Sequence, residues 1–373
     1  MNPPLFSADF GFRGGALSFR DPVRVITCSD PRTLKDAFAR CEEALGEGLY
    51  LAGFLSYEAG YAFERKFALS LRSRFPLLHF GCFATPQKIP ETPPGAFEVR
   101  DLRLNVTREQ YDSSIGRIRD AIASGDVYQI TYCIKHHFDF TGDPRGLYRA
   151  LGKRQPVPYP AYLSNPDFTI LSLSPELFMR KEGTRMVTKP MKGTWWRGKG
   201  FWDDLRERWR FRHDEKNRAE NVMIVDLLRN DLGRVGRGVH VPKLYEVTGY
   251  RTLFQMTSTV EARVEQDLPL WDLFQAIFPS GSVTGAPKIR AMEIIREIET
   301  EERHIYTGAI GYVTPKRDLY FNVPIRTILL RDGKGEMGVG GGIVWDSTAE
   351  GEWQEGMLKS RFLTEPFTTG MTC

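Results

Sequence analysis

The sequence predicts a mixed α/β protein on three observations. Segments with apolar residues at helical spacing are interleaved with segments rich in β-branched and aromatic residues. Of the 373 residues, 41% are hydrophobic and 26% charged, an ordinary globular balance that can bury a large core. No apolar run is long enough to span a bilayer. Length alone would suit two or three domains.

The elements follow in order. "TLKDAFARCEEALGEG" has helical spacing with a glycine stop at Gly46, and "YLAGFLSYEAGYAF" reads as a strand and turn. "TPQKIPETPPGAF", rich in proline, reads as an exposed connection. "TREQYDSSIGRIRDAIASGD" is a helix capped by Thr107 with Gln110 three residues on. "VYQITYCIKHHFDF" is a strand, and residues 159–194 read as a series of short strands. Helices are expected near 216–233, 269–277, 287–299 and 350–362, and strands at "AIGYVT", "LYFNVPIRTILLR" and "MGVGGGIVW". The helix in "AENVMIVDLLRNDLG" is apolar nearly all round, which predicts burial, and Gly233 is its expected stop.

Lysine plus arginine minus aspartate plus glutamate is 51 − 47 = +4, too mild to argue for nucleic acid. The cysteines, Cys28, Cys41, Cys82, Cys133 and Cys373, form no CxxC pair and read as free thiols of a reducing compartment. The N-terminus lacks a basic stretch followed by an apolar one. The expectation is a cytoplasmic protein with neither a membrane nor a nucleic-acid partner.

Chemistry is concentrated in a few stretches. In "KPMKGT", Lys192 stands between an apolar residue and a Gly-Thr turn. In "AEGEWQEGMLKSRF", Glu352, Glu355 and Lys359 share one helical face, with Leu358 and Phe362 on another. A solvated charged stripe would look the same. The preceding Gly340, Gly341 and Gly342 either form a bulge or let a ligand approach the backbone. In "FPSGSVTGAPK", Ser280, Ser282 and Thr284 offer hydroxyls ahead of a helix with Pro287 as its expected first residue. Glu220 opens an apolar helix, either as a metal ligand or as a favourable first-turn charge. Arg326 sits inside the apolar strand "NVPIRTILL", and its planar fork suits a carboxylate. Together these describe a cleft with carboxylates for a hard cation, Mg²⁺, and donors for a small organic acid. "RERWRFRHDEKNR" reads as a solvated loop or partner surface.

"SPELF", "KGT", "AENVMIVDLLRNDLG", "SGSVTGAPK", "YTGAIGY", "IRT" and "GGGIVWDS" with its following Glu, Glu and Lys occur here in one order. In that order they resemble the chorismate-binding enzymes, from about Thr107 to Phe367. The resemblance implies a single α/β domain with two large, mostly antiparallel sheets packed face to face and helices outside. Residues 1–100 would be a subregion of that fold and 101–368 the chorismate-binding catalytic region.

The resemblance also implies roles. Glu220 and Glu355, with Glu352 close by, match the Mg²⁺ ligands. Glu176 matches the general acid acting on the departing 4-hydroxyl. Gln129, Gly193, Thr194, Thr284, Tyr306, Arg326, Gly340, Gly341, Gly342 and Lys359 are the implied substrate-binding positions. Gln255 stands near the place where many members have a histidine. Gln129 replaces the lysine base of the water-using branch, so ammonia is the implied nucleophile. Lys192 replaces the alanine usual in anthranilate synthases, as in the aminodeoxychorismate synthase branch, and would act as a catalytic nucleophile. The implied activity is chorismate plus ammonia to 4-amino-4-deoxychorismate, on the route to 4-aminobenzoate and folate. The chain shows no Cys-His-Glu glutaminase arrangement, so ammonia is expected from a separate amidotransferase subunit, and with its end at Cys373 no appended lyase domain is expected. The alternatives are an anthranilate synthase component and an inactive chorismate-binding regulatory subunit.

Overall fold

The structure, a computed structural model, describes residues 5–8, 15, 17–68, 73–87, 93–249 and 253–365. Helical segments form where apolar spacing and caps agree. Leu34–Gly46 buries Leu34, Ala37, Phe38, Cys41, Ala44 and Leu45, a single stripe. Its stop is Gly48, whose φ of +82° only glycine adopts freely; Gly46 is still helical. Arg108–Ala123 begins with the expected capping box: Gln110 N donates to Thr107 Oγ1 and Thr107 N to Gln110 Oε1.

Two antiparallel sheets are built from the described strands. One runs Gly285–Ala286, Gln129–Gly142, Lys334–Ile343, Thr327–Arg331, Thr169–Ser174, Tyr159–Ser164, Leu5–Ala8, Leu17–Arg20, and Phe97–Leu104 also pairs with Gln129–Gly142. The other runs Met191–Trp196, Leu253–Val264, Arg185–Lys189, Leu177–Glu182, Leu319–Asn322, Ala309–Val313, Tyr50–Leu55, Leu78–Phe83, Arg24–Cys28, and Gly236–Gly249 also pairs with Leu253–Val264. Phe6, Phe19, Leu163 and Leu329 of the first sheet pack on Phe54, Phe83, Ile310 and Tyr312 of the second. Phe19 lies 5.1 Å from Phe83, centroid to centroid. Helices cover the outer faces: Leu147, Leu151, Phe362 and Leu363 on the first, Phe38 and Phe274 on the second. Central strands such as Thr169–Ser174 are therefore buried on both faces.

Several sequence expectations are corrected. "LYFNVPIRTILLR" is two strands in different sheets, and Val323–Arg326 carries the chain between them. Arg326 lies in that crossing with φ +52°, outside a strand. Helix Glu215–Gly233 is buried on one face only: Asn221, Ile224, Val225, Leu228, Asp231 and Leu232 point in, while Val222 is exposed. Gly233 is its last helical residue, followed by Arg234 in right-handed conformation. Pro287 precedes the helix Lys288–Ile298 in extended conformation. Gly340, Gly341 and Gly342 pair in unbroken register with Cys133, Tyr132 and Thr131, so there is no bulge. Most of "RERWRFRHDEKNR" is helical, in Phe201–His213 and the start of the next helix. Phe362 is buried, but Leu358 is exposed. Cys28, Cys41, Cys82 and Cys133 are free and buried. Cys373 and residues 88–92 of the proline-rich connection lie outside the described residues. No described helix is long and apolar enough to cross a membrane.

Candidate active site

Lys192 is aimed by a local irregularity. The pairing of Met191–Trp196 with Leu253–Val264 shifts register between Met191 and Thr194. Gly193 sits there with φ +89°, and a Cβ on it would meet Asn217 Oδ1 at 2.4 Å. Such a bulge turns the Lys192 side chain inward. Its amine makes no hydrogen bond to a described residue. It stands at Gly342, where an added Cβ would lie 2.7 Å from Lys192 Nζ and 2.6 Å from Gln129 Nε2. Burial pushes the amine below the ordinary lysine value, opposed by the charge of Glu220. Lys359 lowers it further, and Glu176 and Glu355 raise it.

Glu176 is 3% exposed, just ahead of Leu177–Glu182. Burial raises its carboxyl to about 7, opposed by a hydrogen bond from Ser282 and the charge of Lys192. Ser282 Oγ donates to Glu176 Oε1 at 2.6 Å. Near neutral pH this group can therefore hold a proton and give it up. Tyr306, 5% exposed, is packed so closely on Gly338 that a Cβ there would lie 2.3 Å from its ring.

Three carboxylates come from two helices. Glu220, on Glu215–Gly233, is raised by burial and by Glu355, against Lys192 and Lys216. Glu352, on Ala349–Thr364, accepts from Ser347 Oγ at 2.6 Å and is also raised by burial and by Glu355. Glu355 pairs with Lys359 at 2.8 Å and is lowered by it. Lys359 also donates to Gly340 O at 2.9 Å. A Cβ on Gly341 would stand 2.9 Å from Glu352 Oε2, so glycine leaves the space these groups need. Among the described residues, the three carboxylates do not come together within 4.8 Å; His137, Glu301 and Glu336 do. The donor set still suits a hard divalent cation. Glu355 is close enough to raise both Glu220 and Glu352, and Mg²⁺ takes few carboxylates plus ligand oxygens and water.

The remaining expected positions divide. Gln129 is fully buried, and neither side-chain atom has a partner; the Thr131 hydroxyl beside it has none either. Thr284 is buried, but its hydroxyl donates to Ser280 O and serves its own loop. Arg326 is half-buried in its crossing segment. Thr194 pairs with Gln255 through the backbone, and its side chain is outside the described features. Gln255 is buried without side-chain partners. Strand alternation puts it on the face opposite Ser258, which donates to Asn221 on the helix of Glu220.

Lys216 and Arg303 were not singled out by sequence reading, and Ser282 was read there only as one of three loop hydroxyls. Arg303 is 1% exposed and donates to Val283 O (2.9 Å), Thr131 O (2.6 Å) and Glu299 (2.6 Å). It joins the Ser280–Thr284 loop to the Gln129 strand. Its partner Glu299 is four residues away, a spacing that could equally mark a surface pair.

A lysine amine lowered by burial, a carboxyl raised to about 7 and a group of acidic side chains thus lie around the glycine run. The chain belongs to the chorismate-binding enzymes: residues 18–365 match the model of that family, described as chorismate binding enzyme. It is 40% identical to aminodeoxychorismate synthase component 1 of Bacillus subtilis (strain 168) over 256 residues, 68% of this chain and 54% of that protein. It is 36% identical to anthranilate synthase component 1 of Aquifex aeolicus (strain VF5) over 268 residues, 71% of this chain and 54% of that one. The chain thus spans about half the length of these curated relatives. The crystal structure of anthranilate synthase component I from Streptococcus pneumoniae TIGR4 superimposes with a TM-score of 0.78 at 26% identity, covering 97% of this chain and 92% of that one.

Proposed function

We propose that this protein is an aminodeoxychorismate synthase component that converts chorismate and ammonia to 4-amino-4-deoxychorismate. The observation that carries the reading is the Lys192 amine, without a hydrogen-bond partner and lowered by burial, next to a carboxyl that is raised to about 7. Hydroxide at C4 of chorismate is a poor leaving group. The neutral Lys192 amine adds at C2, the ring double bonds shift, and the C4–O bond breaks. Glu176 gives the departing hydroxyl its proton, so water leaves and a lysine adduct remains. Ammonia then adds at C4 and the C2–N bond breaks, returning Lys192. One difficult displacement becomes two easier ones.

Glu220, Glu352 and Glu355 are the residues that would hold Mg²⁺, which supplies charge neutralisation for a substrate carboxylate. Arg326 would take the remaining acidic oxygens, the surface of Gly340, Gly341 and Gly342, free of side chains, would let the ligand approach the strand, and Gln129 would meet the polar edge of the ring. Gln129 cannot serve as a base for water, which favours ammonia. A separate glutamine amidotransferase supplies that ammonia in the cytoplasm; the relatives' designation as component 1 supports a two-component enzyme.

The test is product analysis with chorismate, Mg²⁺ and an ammonium salt. Aminodeoxychorismate is the expected product. Anthranilate would move the chain to the anthranilate branch, isochorismate would overturn the nucleophile assignment, and binding without turnover would make it a regulatory subunit.

A further inference from the structure

We infer that Ser282 is a positioning residue for the general acid, fixing the carboxyl of Glu176 in one orientation through a directed chain of hydroxyls. The inference rests on the reading of Glu176 as the acid. Three oxygens carry it: Ser280 Oγ lies 2.9 Å from Ser282 Oγ, which lies 2.6 Å from Glu176 Oε1. All three residues are nearly inaccessible, at 2%, 4% and 3% exposure. Ser282 donates to the carboxyl, so Ser280 must donate to Ser282. In the reverse direction the Ser280 proton would have no acceptor among the described residues. The chain therefore runs one way and ends on Oε1. With Oε1 already accepting, the proton of the acid form belongs on Oε2.

The loop that carries the two serines is held from behind, so Ser282 constrains Glu176 rather than following it. Thr284 Oγ1 donates to Ser280 O at 3.0 Å, and Thr131 N to Thr284 O at 2.6 Å. Arg303 donates to Val283 O and to Thr131 O, locking the loop to the strand that carries Gln129. Arg303 is itself paired with Glu299 and lies 4.3 Å from the Tyr57 ring centroid. The other groups acting on Glu176 are the Lys192 amine and the Met191 amide, both at the start of Met191–Trp196. The Tyr306 phenol also feels its charge. Lys192, Met191 and Ser282 all favour the ionised form, against the burial that dominates.

Removing the Ser282 hydroxyl has two linked consequences. The carboxyl loses its fixed orientation, and it loses a donor that stabilised the carboxylate. Ser282→Ala is expected to lower kcat by roughly 10- to 100-fold with KM for chorismate little changed. The alkaline limb of the pH–rate profile should move to higher pH, because Glu176 now keeps its proton longer. Ser282→Thr should restore both rate and limb. A residue that only supported the loop would lower kcat and stability without moving the limb. Should the alanine variant fail to fold, Ser282→Cys, close in size but a weak donor, is read in the same way. Wild-type turnover with an unmoved limb in a folded Ser282 variant would overturn the inference. Glu176→Gln separates the two layers. Near-normal turnover in that variant removes the general-acid reading itself. An inactive Glu176→Gln beside a fully active Ser282→Ala removes only the role of Ser282.

Discussion

The ladder between Gln129–Gly142 and Lys334–Ile343 has two ends that treat buried polar groups in opposite ways. At one end, Lys135 and His304 both bind Glu336, at 2.9 and 2.8 Å, and His137 binds Glu301 at 2.9 Å. Glu336 is lowered to about 2: burial works against it, but His304 and Lys135 prevail. His304, also against burial, is raised to about 9 by Glu302 and Glu336. Glu58, electrostatically coupled to this network, has one unpartnered oxygen on a carboxyl that burial raises to about 7. At the other end, the Gln129 amide and the Thr131 hydroxyl have no partners, and the Lys192 amine faces them across Gly342. Buried polar groups are normally satisfied, because an unmet one costs about 1–3 kcal/mol. On the proposed function, the paired end serves stability and the unpaired end keeps its donors and acceptors for a ligand.

The sharpest way to break this contrast is to exchange what each end loses. Lys192→Ala should lower aminodeoxychorismate formation by about 10³-fold, in line with the loss of a covalent nucleophile, while the melting temperature holds or rises. Chorismate should still bind, since the acidic cluster and Arg326 remain. A variant near the wild-type rate would contradict the assignment. At the paired end, Glu336→Gln leaves Lys135 and His304 buried without their shared anion. Urea unfolding should then show a loss of about 3–5 kcal/mol, with turnover per folded molecule unchanged. Equal stability would mean the network is ornamental.

Gln129→Leu turns the comparison around. Removing an unsatisfied amide should stabilise the fold by about 1–2 kcal/mol and impair turnover. Lower stability with normal turnover would show that the amide serves the fold.

The smallest effect is in pH. The acid form of Glu176 is present below about 7 and lost as pH rises through it. Glu336 contributes stability that is present above the ordinary glutamate range and lost as pH falls toward about 2. His304 contributes below the ordinary histidine value, and that contribution fades as pH rises through about 9. Just above neutrality, activity should therefore decline through Glu176 while the protein stays folded at the assay temperature, even as the His304 contribution begins to lower the melting temperature. A loss of folded protein in step with the loss of activity would attribute the decline to unfolding.

Much of this was legible in the chain itself. The capping box at Thr107 and Gln110 was readable because capping is local. Lys192, Glu176 and the glycine run stood out because their motifs occur in a characteristic order. The all-round apolar reading of Glu215–Gly233 failed because Val222 is exposed: helix faces are settled by tertiary packing, not by composition. The crossing at Val323–Arg326 was invisible because a strand run gives no sign that its two halves serve different sheets. Ser282 and Arg303 act through partners about 20 to 170 residues away, and no spacing rule encodes such pairings.

Intact-protein mass spectrometry during turnover with chorismate and limiting ammonia tests the central claim most directly. The expected result is an adduct of chorismate minus water, mapped to Lys192 and cleared when ammonia is added in excess. Steady production of aminodeoxychorismate with no adduct at Lys192, even under ammonia starvation, would contradict it.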